Sequence, residues 1–146
     1  MAKAKNYFSL TDNAKIVAAI RRAEQKTSGE IKVRIENRTF IQVVGRARYL
    51  FFKLKVHLTK DRNGVLLYIA VKSKKFAIIG DIGIQKKVGN DFWNDVKAEM
   101  SKDLADGKVL EAIIDAVDMT GEKLKEHFPY DGDDKNEVED EVSYGD

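Results

Sequence analysis

Two carboxylate and glycine pairs flank the most apolar stretch of this sequence. Asp61 precedes Asn63-Gly64 on one side, and Gly80-Asp81 precedes Gly83 on the other, while Glu30 opens an earlier apolar segment. Carboxylate and amide oxygens carried on glycine-bearing turns are hard donors, the kind that calcium and magnesium prefer. The expected ligand set for a divalent cation is therefore Glu30, Asp61, Asn63 and Asp81. A cation held there with an open water position would also permit hydrolysis, with Glu30 and Asp81 as ligands and Asp61 as general base. The same residues equally suit structural work: Asp61 and Asn63 in shaping a turn, Asp81 in capping the next segment, Glu30 in pairing with a lysine.

Positioning these residues is the task of a hairpin. Val65 to Val71 is an unbroken apolar run rich in strand formers, Phe76 to Ile79 is a second, and Lys72-Ser73-Lys74-Lys75 separates them. An unbroken run is the mark of a strand covered on both faces, so the hairpin is expected in the middle of a sheet with helices on each side. Glu30 to Glu36 alternates apolar and charged residues and reads as a half-buried strand nearer an edge. Ser9 and Asp12 have the spacing of a capping pair before a helix from about Thr11 to Lys26. Phe40 to Thr59 reads as a second helix, which makes a right-handed crossover between two parallel strands. After a polar loop over Gln85 to Asp91, apolar spacing predicts a third helix from Phe92-Trp93 and a fourth from Val109 to Leu124, stopped at Phe128-Pro129. Glu141 to Tyr144 is long enough for a short edge strand. The expected fold class is α/β, a three-layer α/β/α sandwich on a mixed sheet of four to five strands.

With this topology Thr27 to Glu30, Asp61 to Asn63 and Gly80 to Gly83 meet at one end of the sheet, where the carbonyl ends of the first two helices add negative potential. The opposite end gathers Asn37, Arg38, Ser73, Lys74 and Lys75 and favours an anion.

The 146 residues, 43% of them apolar and 34% charged, suit one domain over residues 1–130 followed by an acidic, mostly disordered tail over 131–146. Eight of the 24 acidic residues and one of the 26 basic residues fall from Asp131 to Asp146, which leaves the body at +9 and the tail at −7. The absence of cysteine excludes disulfides, thiolate zinc sites and thiol nucleophiles. His57 and His127, near helix ends, are read as structural or solvated. The longest apolar run falls far short of the roughly 20 residues that span a bilayer, so no membrane insertion is expected and the location reads as cytoplasmic. The sequence holds no phosphate loop, nucleophile elbow or HExxH. Asp131-Gly132-Asp133-Asp134 breaks the pattern of an EF-hand loop at Lys135 and Asn136.

Thr27-Ser28-Gly29-Glu30-Ile31, His57-Leu58-Thr59, Arg62-Asn63-Gly64-Val65-Leu66-Leu67, Phe76-Ala77-Ile78-Ile79-Gly80-Asp81, Phe92-Trp93 and Leu124 with Phe128-Pro129 resemble, in order and spacing, the TPM domain family. The resemblance implies an α/β/α sandwich around a mixed sheet and, among members of the family, phosphatase activity, receptor regulation or binding of calcium and other divalent cations. Many members are exported or membrane-anchored, whereas this chain shows neither leader nor anchor. The expected function is a soluble TPM-like domain that binds calcium or magnesium through the loop carboxylates as a regulatory or interaction module. The alternative is a metal-dependent acid phosphatase using the same residues. A protein partner fits the first reading; nucleic acid is disfavoured by the acidic tail.

Overall fold

The computed structural model describes Ala4 and residues 7–132 and 142–146. Among the described residues five helices and four strands follow one another in the order α1 (Leu10–Glu24), β1 (Glu30–Glu36), α2 (Val43–Lys53), β2 (Gly64–Ala70), β3 (Lys75–Gly80), α3 (Ile82–Gln85), α4 (Asn94–Ala105), α5 (Val109–His127) and β4 (Val142–Tyr144). The sheet is mixed, in the order β3-β2-β1-β4, with β1 parallel to both β2 and β4 and β3 antiparallel to β2.

The unbroken apolar run of β2 is explained by its two covered faces. Val65, Leu67 and Ile69 join the larger core with residues of α1, α4 and α5, while Leu66, Tyr68 and Ala70 join a second core with Ala47, Leu50 and Phe51 of α2. These are the three layers of the expected sandwich. Ser9 caps α1 by accepting the Asp12 N–H at 3.0 Å, as the spacing predicts. The expected edge strand near the C-terminus forms as β4.

Several expectations need correction. The hairpin does not occupy the middle of the sheet: β2 is interior, but β3 is an edge, and β1 is interior because β4 covers its other side. β1 is accordingly buried along almost all its length despite its alternation, and Glu30, Lys32 and Glu36 are among the buried residues. Helix α2 is shorter than Phe40 to Thr59. Gln42 caps its start through the Gly45 N–H at 2.7 Å, and Lys55, at φ 61°, turns the chain out of the helix just after Lys53. The single turn α3, not expected from the sequence, precedes the polar loop and takes in its first residue, Gln85, and the following helix begins at Asn94, two residues beyond Phe92. Phe92 and Trp93 are only half-buried against the core. Most of the tail expected to be disordered, residues 133–141, lies outside the described residues. Among the described residues, no helix is long and apolar enough to cross a membrane.

Candidate metal centre

The expected convergence at one end of the sheet occurs. Glu30 lies in register with Gly64 and Val65 with Gly80, the Asp81 N–H donates to Gly64 O at 3.0 Å, and Asn63 Nδ2 donates to Ser28 Oγ at 3.2 Å. The chemistry of the convergence differs from a set of free oxygen ligands. Asp81 is 3% exposed and holds a bidentate ion pair, accepting from Arg62 Nε at 2.6 Å and Arg62 Nη2 at 2.8 Å. Its Oδ1 also accepts the Ile82 N–H at 2.8 Å and so caps α3. Asn63 and Glu30 are buried, and Asp61 is exposed. The adjoining cleft, of about 570 Å³, is lined by Lys60, Arg62, Lys86 and Lys87 against Asp61 and Asp131, with His127 at its wall. A cation entering there would meet four positive side chains and an Asp81 whose oxygens are already bonded to Arg62.

Gly83 shows how tightly these loops cross. A β-carbon on it would stand 2.2 Å from Asp61 O and 2.5 Å from Arg62 O, and its N–H donates to Arg62 O at 2.9 Å. Asp61 and Arg62 thus lie across α3 and are held by backbone, while the Arg62 side chain clamps Asp81.

A different acidic group arises where α4 packs on α5. Glu99 and Asp103 stand four residues apart on one face of α4, and Asp115 faces them from α5. One oxygen from each lies within 4.8 Å of the others. Asp103 is 7% exposed, and its Oδ2 has neither solvent contact nor a hydrogen-bond partner among the described residues. Burial pushes the Asp115 carboxyl above its ordinary value; a side-chain hydrogen bond with Asp103 and the neighbouring charges of Asp103, Glu99 and Asp118 push it further the same way. Three carboxylates in a half-buried seam, one with an orphaned oxygen, are a donor set suited to a hard divalent cation. This cluster was absent from the expected ligand set. Its trace in the sequence is slight: Asp103 falls in helical register with Val96 and Met100, where an apolar residue is expected, while Asp115 lies off the apolar stripe of α5 and carries no such mark.

At the other end of β1, Glu36 shows the opposite arrangement. It is 3% exposed but fully bonded: Tyr68 Oη donates to it at 2.7 Å, Arg46 at 2.7 and 3.1 Å, and Arg34 at 2.9 and 3.2 Å. Burial alone would raise its pKa, but the bonds from Arg46, Tyr68 and Arg34 outweigh this and hold it at about 2. Burial and the neighbouring Glu36 carboxylate push the Tyr68 hydroxyl well above its ordinary value. This network is a structural ion cluster with no ligand position left open.

Comparison with known proteins places the chain. A family profile for the TPM domain matches residues 1–123. The chain belongs to the TPM domain family. The TPM domain described here also resembles the NMR structure of the BA42 protein from the psychrophilic bacterium Bizionia argentinensis, at 37% identity and a TM-score of 0.88 over 98% of this chain and 99% of that one. The N-terminal domain of the cg2496 protein from Corynebacterium glutamicum shares the fold, with a TM-score of 0.62 at 9% identity over 88% of this chain and 78% of that one. No functionally curated protein matches the TPM domain's sequence.

Proposed function

We propose that this TPM domain binds a divalent cation, calcium or magnesium, through Glu99, Asp103 and Asp115 at the α4–α5 seam, and that it works as a cation-responsive regulatory or interaction module. The observation that carries the reading is the unpartnered Oδ2 of the buried Asp103, a residue with an oxygen within 4.8 Å of two further carboxylates. An orphaned carboxylate oxygen beside like charges is costly, and a cation relieves both burdens at once. Bound between two helices, the ion would tie α4 to α5 and thereby couple cation concentration to the stiffness of that layer.

The test is a titration of calcium, and then magnesium, into the isotope-labelled protein with backbone amide shifts as the readout. Saturable shifts centred on Glu99 to Asp103 and Ala112 to Asp115 are expected. Shifts confined to Asp61 to Gly64 and Gly80 to Gly83 would return the site to Glu30, Asp61, Asn63 and Asp81, and no saturable shift at either place would end the cation reading.

A second reading, phosphomonoester hydrolysis, is favoured by one feature, the four cationic side chains and His127 lining the cleft beside Asp61. Those groups suit a phosphate dianion, with Asp61 as the exposed base. Turnover of a generic phosphate ester that depends on Asp61 would support it; turnover unchanged in Asp61→Asn would remove the cleft from the chemistry.

A further inference from the structure

The carboxyl end of the parallel strands carries a surface that neither the acidic seam nor the cleft uses. There the loop leaving β1 and the turn joining β2 to β3 are tied together: the Lys72 N–H donates to Asn37 O at 2.7 Å, and the Thr39 N–H to Ser73 Oγ at 3.2 Å. Phe40 and Ile41 stand at the tip of this pair, 92% and 58% exposed. Single exposed apolar residues are ordinary on a soluble protein, but these two are adjacent and surrounded by cations. Arg38, Lys72, Lys74 and Lys75 are all exposed on the same two segments. Among the described residues the opposing charge on these segments is modest: Glu36 is buried within its own ion cluster, and Asp146, whose carbonyl accepts the Asn37 N–H, is exposed.

We propose that these joined turns form a peripheral docking surface for an anionic lipid bilayer, with Phe40 and Ile41 entering the headgroup boundary and Arg38, Lys72, Lys74 and Lys75 lying against the phosphates. An apolar tip ringed by cations matches the two layers of such an interface, apolar beneath and anionic above. Nucleic acid would match the cations, but Ile41 offers no face on which a base can stack and would remain in water. A second copy of the chain is disfavoured because a two-fold contact would bring two patches of the same positive sign together. Among the described residues no helix crosses a membrane, so the contact is a surface one.

The experiment is co-sedimentation of the full chain with vesicles of phosphatidylcholine alone and of phosphatidylcholine mixed with phosphatidylglycerol. Binding is expected to the mixed vesicles only. It should fall several-fold when salt rises from about 0.1 M to about 1 M, which shortens the screening length from about 10 Å to about 3 Å. The double variant Phe40→Ser with Ile41→Ser should lose most of the binding, and Lys74→Gln with Lys75→Gln should weaken it. All four positions are on the surface, so circular dichroism should be unchanged; the wild-type protein supplies a check that needs no variant, the selective broadening of amide signals from 38–41 and 72–75 by the mixed vesicles. Absence of binding at low salt, equal binding to neutral vesicles, or binding indifferent to Phe40 and Ile41 would overturn the proposal. So would broadening centred on other segments. Capture by a short DNA duplex in place of vesicles would assign the patch to nucleic acid, and self-association dependent on Phe40 would assign it to a second copy; either result also overturns the proposal.

Discussion

Two buried carboxylates in this domain meet opposite fates, and the difference decides what each can do. Glu36 accepts from three side chains and is held at about 2, against an ordinary 4.5. Because its folded pKa is depressed, the stability it contributes is complete above pH 4.5 and is lost as pH falls from 4.5 towards 2. A shift of this size corresponds to about 3 kcal/mol. Glu36→Gln should therefore lower stability by an amount of that order at pH 7 and flatten the acid limb of the stability curve; an unchanged acid limb in urea melts recorded from pH 7 down to 2 would show that the cluster is not the source. Asp103 has one oxygen with no partner and stands among like charges. Its removal should act in the reverse sense. Without added metal, Asp103→Asn should melt no lower than wild type, since it takes away a repelled charge. With calcium it should lose the stabilisation expected of the parent, which at 100 times the dissociation constant is about 2.7 kcal/mol, or roughly 5–10 °C for a domain of this size. Equal calcium-induced shifts in the two proteins, read by differential scanning calorimetry, would refute a role for Asp103 in binding.

At the scale of elements, the sequence is informative where one force dominates and poor where two compete. The apolar run from Val65 is legible because both faces of β2 are buried, and the Ser9 cap because a single local bond determines it. The alternation of β1 misleads because burial of its charged face depends on partners remote in sequence: Arg46 from α2 and Tyr68 from β2, both meeting Glu36. The loop residues Glu30, Asp61, Asn63 and Asp81 are legible as a convergence, but that Arg62 would take up Asp81 depends on a side-chain direction that spacing does not reveal. The acidic seam is still harder to read, because Glu99 and Asp115 meet only through the angle at which α4 packs on α5. The crossing of α3 under Asp61 and Arg62 gives a sharp prediction at this scale. Gly83→Ala must push its new methyl into two carbonyl oxygens of the backbone, which cannot move aside as a flexible side chain would, so a loss of about 1–3 kcal/mol is expected. An alanine variant that melts with the wild type would mean that the crossing loops are held far less tightly than these contacts imply.

Across the whole molecule, the acidic C-terminal segment is part of the architecture at its far end. Val142 to Tyr144 extend the sheet beside β1, Gly145 N–H donates to Ile35 O at 2.9 Å, and Asn37 N–H donates to Asp146 O at 3.0 Å. The Arg34 guanidinium reaches Ser143 Oγ at 2.7 Å, and Tyr144 Oη bonds Asn13 of α1. The last five residues thus cover β1, join its ion cluster and fasten α1. Deleting 142–146 would expose the interior strand β1 as an edge with unpaired N–H and C=O groups, a template for pairing with another chain. Several hydrogen bonds at about 1 kcal/mol each would be lost with it. The truncated chain is expected to be less stable by about 2–4 kcal/mol and to associate as concentration rises, with the amide of Asn37, which donates to Asp146 O, losing its protection from exchange. Sedimentation equilibrium and hydrogen exchange together test this: a monomeric truncation with the parent's exchange pattern would mean that β1 needs no cover.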